Sequence, residues 1–139
     1  LQEDFDPTNH ALLADATDDE EQLWFDDMLE GRFYGSGLSI FSRATLIEHR
    51  HIHFSACHGL TDSASDCLAS KGFQVLRVAA GNASVDIYNT HLEAGGGPED
   101  VAARQSHIDA LIASLTGWSE DQAIIFSGDF NLRDSDPDD

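Results

Sequence analysis

Between Gly72 and Asn131 the spacing of apolar residues changes twice, and that order of periods limits the folds open to the chain. Residues 72–80 (GFQVLRVAA) and 84–91 (SVDIYNTH) are strand-like runs on either side of Gly81-Asn82, a pair suited to a tight hairpin turn. In residues 99–115 the period lengthens, and Val101, Ile108, Leu111, Ile112 and Leu115 fall on one helical face. Ala123-Ile124-Ile125-Phe126 is then a continuous apolar run, the pattern of a strand buried on both faces. A hairpin, a helix and a buried strand in succession predict a sheet packed with helix, a mixed α/β architecture. No internal repeat is visible.

The remainder is less regular. Residues 1–5 fit the end of a strand, and residues 6–30 carry most of an acidic run without a single base. Within that run Leu23, Trp24, Met28 and Leu29 predict a short amphipathic helix over 18–29, with Asp18 or Asp19 as N-cap and Gly31 as its stop. Residues 37–42 and 51–54 read as two further strands, and 57–67 as loop. His49, His51 and His53 alternate and share one face; they could bind a metal, although a polar sheet face accounts for them as well. A glycine-rich loop, Gly95-Gly96-Gly97-Pro98, precedes the second helix, and residues 134–139 form an acidic tail or a severed loop.

At 139 residues and 41% hydrophobic, the chain can bury one core of ordinary size. Its 26 acids against 7 bases give a formal net charge of −19, and Lys71 is the only lysine. Such a surface repels polyanions, because nucleic-acid binding depends on Lys and Arg neutralising phosphates. No apolar run reaches the length of a membrane-spanning helix. The opening Leu1-Gln2-Glu3 has neither Met nor a basic stretch and reads as cut from something longer. Cys57 and Cys67 flank a polar, turn-rich segment. They are expected to form a disulfide in an oxidising compartment, the alternative being two buried thiols.

Three short stretches sit at the ends of predicted strands, where open α/β sheets place their ligands. They are Leu1-Gln2-Glu3, Asn89-Thr90-His91-Leu92 and Gly128-Asp129-Phe130-Asn131. Each alone has an ordinary structural explanation: a solvated Glu, a hydrogen-bonded His, an Asp-x-Asn turn. In this order they resemble the endonuclease/exonuclease/phosphatase superfamily, which includes DNase I-like nucleases, inositol-phosphate phosphatases and neutral sphingomyelinases. Gly35-Ser36-Gly37-Leu38-Ser39-Ile40-Phe41-Ser42-Arg43 is similar to that family's Gly-Leu-x-Ile-x-Ser-Arg strand, and Arg104 with Ile108, Leu111 and Ile112 matches the helix that follows its Thr-His-Leu motif. Asp66 and Lys71, in Asp66-Cys67-Leu68-Ala69-Ser70-Lys71-Gly72, resemble the Asp-x4-Lys element of the neutral sphingomyelinase branch; an exposed ion pair is the plainer explanation.

The resemblance implies a two-sheet, helix-flanked α/β sandwich of the DNase I-like type, with residues 1–139 as one domain, incomplete at both ends. It also implies Mg²⁺-dependent hydrolysis of a phosphodiester, a lipid head group or a small phosphorylated molecule. Hydrolysing such a bond needs charge stabilisation at the phosphoryl oxygens, an activated water and a protonated leaving group. Mg²⁺ keeps several waters, so one or two carboxylates suffice to hold it. By carry-over Glu3 would ligate the metal. His91 would donate to the phosphate or leaving group, Asp129 would orient or help activate water, and Asn131 would bind a phosphate oxygen. Lys71 would approach the substrate phosphate, and Asp66 would switch its position.

An Asn-containing strand before Gln2-Glu3 and a C-terminal Asp-His pair, both part of the family pattern, are not in this sequence. The chain alone is therefore expected to be inactive. A nuclease is the rival within the superfamily, disfavoured by the charge; a catalytically silent binding module is the rival outside it. The sphingomyelinase-like branch further implies an extracellular or cell-surface location, with peripheral membrane contact left open.

Overall fold

The computed structural model describes residues 37, 38, 40, 42, 44–59 and 66–132. The segments expected as a first strand end (1–5), an acidic helix (18–29) and a C-terminal tail (134–139) lie outside them.

Four strands form one sheet in the order β1-β2-β3-β4. They are β1 (Leu46–His53), β2 (Gly72–Ala80), β3 (Ala83–His91) and β4 (Ala123–Asp129), with one long helix, α1 (Pro98–Gly117), between β3 and β4. β2 and β3 pair antiparallel, with Ala80 opposite Ala83. The turn is thus the two residues Gly81-Asn82, and Gly81 has φ +65°, where a side chain would be strained. β1 pairs antiparallel with β2 on the outer side. β4 returns parallel to β3 after the α1 crossover, as a β-helix-β connection requires.

Both faces of the sheet carry apolar contacts. On the face covered by α1, Phe54, Phe73, Val75, Tyr88, Leu92 and Leu111 make one cluster. On the opposite face Leu76 and Val78 meet Ile40, with Val85 and Ile87 against them. The Gln74 amide donates to the Leu38 carbonyl at 3.2 Å, so the stretch around Leu38 and Ile40 packs on the side away from α1.

Several boundaries differ from expectation. β1 begins at Leu46, well before residue 51, and its first half is exposed, so it shows no burial alternation to read. In 37–42 the described residues form no strand beyond a single bridge at Gly37. α1 runs from Pro98 to Gly117, and its buried residues are Ala103, Arg104, His107 and Leu111; Ile112, expected on the apolar face, is exposed. The largest correction concerns β4. Ile124, Ile125 and Phe126 are exposed, because among the described residues β4 is an edge strand with β3 as its only neighbour.

Polar residues anchor the helix to the sheet at its C-terminal end. Arg77 on β2 forms a two-pronged bond to Asp86 on β3, with Nε at 2.7 Å and Nη2 at 2.8 Å. It also donates to the Trp118 carbonyl at 2.9 Å and lies 4.2 Å from the centre of the Trp118 ring. Ser119 Oγ donates to Asp86 at 2.6 Å and is hydrogen-bonded to the Tyr88 hydroxyl at 2.7 Å. Burial pushes the Asp86 carboxyl pKa up, but the hydrogen bonds from Arg77 and Ser119 and the Arg77 charge outweigh it and hold it below its ordinary value. A carboxyl depressed in the folded state adds stability above its unfolded pKa, and that stability is lost as pH falls through the folded value.

Asp86→Ala leaves a partly buried guanidinium without its counter-ion. It is expected to cost about 3–5 kcal/mol at neutral pH. In denaturant titrations the gap to the parent protein should shrink as the pH drops below the ordinary carboxylate range, about 4. A gap independent of pH would show that the pair contributes packing alone.

Candidate active site

The parallel pairing of β3 and β4 puts His91 directly opposite Asp129, at the C-terminal ends of both strands. Two stretches nearly forty residues apart in sequence therefore meet at one edge of the sheet. Side chains alternate along a strand, so His91 lies on the face opposite Tyr88, away from α1. The chains approach closely here: Gly128 has φ +139°, and a Cβ on it would collide with the Thr90 backbone. Only glycine fits that position.

The peptide of Leu92 gathers the side chains just beyond this ladder. Its N–H donates to the Asp129 carbonyl at 2.9 Å. Its carbonyl accepts from Asn131 Nδ2 at 3.0 Å and from Lys71 Nζ at 2.9 Å. Asn131 adopts φ +51°, a left-handed conformation that Asn tolerates better than most residues. Its own N–H donates to Asp129 Oδ1 at 2.9 Å. Lys71 is buried, so the exposed ion pair is overturned as an explanation of this lysine. The backbone of Asp66 opens a short 3-10 turn, Asp66–Leu68, five positions before it.

Of the residues singled out in the sequence, Asn131 and Lys71 thus share the Leu92 carbonyl, and His91 and Asp129 are paired in the ladder beside it. Glu3 and the side chain of Asp66 lie outside the described residues. His49, His51 and His53 face Leu76, Gln74 and Gly72 across β1 and β2, and the rings of His51 and His53 touch edge to face at 4.5 Å. Among the described residues no group of three or more His, Cys, Asp or Glu side chains is arranged to hold a metal.

The next peptide anchors a second set of residues, none of which the sequence marked as part of a site. Glu93 is buried and its Oε1 accepts the His58 N–H at 2.7 Å. Its carbonyl accepts from Arg104 Nη1 at 2.8 Å, which also reaches the Gly95 carbonyl at 3.1 Å. Its N–H donates to His107 Nδ1 at 3.2 Å, so the His107 proton sits on Nε2 and donates to the Ala56 carbonyl at 2.7 Å. The His107 ring stacks on Phe54 at 3.9 Å. Arg104 and His107, three apart on α1, share a face; that spacing was the available signal, hidden because the residues are polar. Cys57 and Cys67 are bridged, with Cα atoms 5.2 Å apart, as expected from the sequence. The bridge closes the loop that carries His58.

A β-hairpin and a parallel fourth strand that bring Asn-Thr-His-Leu against Gly-Asp-Phe-Asn form the edge of a DNase I-like α/β fold. The chain belongs to Endonuclease/Exonuclease/phosphatase family 2, whose model matches residues 9–139. Among curated proteins it is similar to a sphingomyelinase of Mycobacterium tuberculosis, 34% identical over 76 residues. That match covers 53% of this chain and 14% of the relative. Among solved structures, sphingomyelinase C from Streptomyces griseocarneus superposes with a TM-score of 0.65 at 20% identity, over 76% of this chain and 36% of that one. A Staphylococcus aureus beta toxin variant crystallised with bound magnesium ions superposes with a TM-score of 0.57 at 20% identity, over 70% of this chain and 34% of its own. The chain thus spans well under half the length of these relatives.

Replacing Cys57 with Ser opens a loop of about ten residues and is expected to cost about 2–3 kcal/mol by the loop-entropy relation. Thiol titration of unfolded protein should find no reactive thiol before reduction and two after it. Two thiols before reduction would remove the bridge.

Proposed function

We propose that this chain forms part of a Mg²⁺-dependent phosphodiester hydrolase acting on a lipid head group or a small phosphorylated molecule. The observation that carries the reading is that His91 stands opposite Asp129 at the end of the β3–β4 ladder, while Asn131 and Lys71, just beyond it, both donate to the Leu92 carbonyl. Two nitrogen-bearing side chains, an amide and a carboxylate then stand at one strand edge, the set a phosphoryl group needs for charge stabilisation and proton transfer.

Asp129 and the Asn131 amide oxygen are the hard oxygen donors in this group, which suits Mg²⁺, an ion that keeps most of its waters and needs few protein ligands. Glu3 would supply the principal carboxylate. When bound, the ion would polarise a phosphoryl oxygen. The protein's own residues would do the rest. Asn131, with its backbone held by Asp129, would orient the phosphate. His91 would donate to the phosphate or leaving group, and Asp129 would position the attacking water. Lys71 would reach the phosphate by exchanging the Leu92 carbonyl for it, with Asp66 biasing that exchange.

A lipid or small diester is favoured over nucleic acid by the net charge of −19. The disulfide supports an oxidising, extracellular or cell-surface setting. No described helix is long and apolar enough to cross a membrane.

The test is turnover by the full-length protein of sphingomyelin, a generic diester and plasmid DNA, with and without Mg²⁺. Hydrolysis of the lipid that requires Mg²⁺ and spares DNA is expected. Glu3→Gln and His91→Ala should each lower kcat/KM by about 10²-fold or more with little change in Tm. Full activity in His91→Ala, or activity of Glu3→Gln unchanged from the parent protein across a Mg²⁺ titration, would overturn these assignments.

A further inference from the structure

The peptide unit between Leu92 and Glu93 is held along both edges. Its carbonyl accepts from Asn131 Nδ2 at 3.0 Å and from Lys71 Nζ at 2.9 Å. Its N–H, carried by Glu93, donates to His107 Nδ1 at 3.2 Å. A trans peptide is rigid and planar, with its carbonyl and N–H pointing in opposite directions, and among the described residues no peptide is cis. Turning the plane at one edge therefore moves the other. His107 stands behind the very oxygen on which Asn131 and Lys71 meet.

His107 is well placed to hold that plane, because it is itself fixed. It is buried, its ring lies 3.9 Å from that of Phe54 at an interplanar angle of 8°, and Nε2 donates to the Ala56 carbonyl at 2.7 Å. An N–H aimed at Nδ1 leaves no place for a proton there, so that nitrogen presents its lone pair to the peptide. One turn earlier on α1, Arg104 bonds the carbonyls of Glu93 and Gly95. α1 thus grips Glu93 by both its N–H and its C=O, while the ladder ties the Leu92 N–H to the Asp129 carbonyl. Rotation about the Leu92 Cα–C bond, which would swing the carbonyl, is bounded by a strand on one side and a helix on the other.

We propose that His107 is a positioning residue of the candidate active site: by accepting the Glu93 N–H it sets the Leu92 carbonyl, and through it the places from which Asn131 and Lys71 meet a phosphate. The proposal rests on the hydrolase reading and extends the site to a buried side chain that touches no substrate. Groups held by a preorganised support stay in reacting geometry without reordering at each turnover.

A plainer role for His107 is a staple between α1 and the turn at Ala56. That staple needs Nε2, whereas setting the peptide needs the acceptor at Nδ1. Asparagine can put an amide oxygen where Nδ1 stands and reaches no farther, so His107→Asn keeps the acceptor and loses the staple; His107→Leu loses both. The experiment takes the full-length protein and both variants. It records kcat/KM for sphingomyelin and bis(4-nitrophenyl) phosphate in Mg²⁺, Tm, and the NMR position of the Asn131 side-chain amide, assigned with Asn131→Asp. Tm should fall in both variants. His107→Leu should displace the Asn131 signal and lower kcat/KM by about tenfold or more, while His107→Asn keeps the signal in place and recovers kcat/KM to within about threefold of the parent. Equal losses in the two variants, or an unmoved Asn131 signal and undiminished rate in a folded His107→Leu, would overturn the proposal. If His107→Leu does not fold, His107→Asn decides alone: a displaced signal with a tenfold loss sinks the role of His107. A parent protein that hydrolyses neither diester sinks the hydrolase reading instead, and the Asn131 signal still decides whether His107 sets the peptide.

Discussion

The rest of the structure depends on the parallel ladder between β3 and β4. It is the only pairing among the described strands that joins sequence-distant segments in the same direction, and it closes through the α1 crossover, which brings Arg104 and His107 to the same corner. Just past the ladder, the Leu92 N–H makes one more bond to the Asp129 carbonyl. That bond leaves the Leu92 carbonyl to receive Asn131 and Lys71, while the Leu92 side chain is buried in the core beneath α1. Core packing and site geometry are thus set by one residue facing two ways.

The polar interior has a division of labour. At one end of α1, Arg77, Asp86, Ser119 and Tyr88 tie the helix to the middle of the hairpin. At the other end, Arg104 and His107 bond loops: the Glu93–Gly95 stretch and the turn at Ala56. The first group gives its buried carboxylate and guanidinium partners in each other, as a stable interior requires. The second uses buried cationic and imidazole side chains to order chain that has no ladder of its own, which is how loops become rigid enough to hold reacting groups.

Local pattern was enough for the hairpin, the helix and the existence of β4, because each has a turn residue or a period that acts within a few positions. The grouping of His91, Asp129, Asn131 and Lys71 was legible only through family resemblance; no period in the sequence pairs residue 91 with 129. Three features escaped. β1 starts early because its exposed first half carries no alternation. β4 reads as fully buried from composition, since an apolar run reports what a strand is built to face and not where the neighbouring chain lies. The His58–Asp100 and Glu93–His107 contacts, the first spanning 42 positions, join polar residues that hydropathy treats as surface.

Asn131 and Lys71 both hang from a main-chain oxygen, and this bears on how the site can vary over evolution. A peptide carbonyl is present whatever amino acid occupies position 92, so drift at that position, within what the core accepts, leaves both anchors in place. Strand register has no such latitude. An inserted or deleted residue in β3 or β4 would carry the anchoring carbonyl to the wrong face and separate His91 from Asp129 in one step. Homologous lineages should therefore show substitutions scattered along these two strands, with length changes confined to the loops outside them.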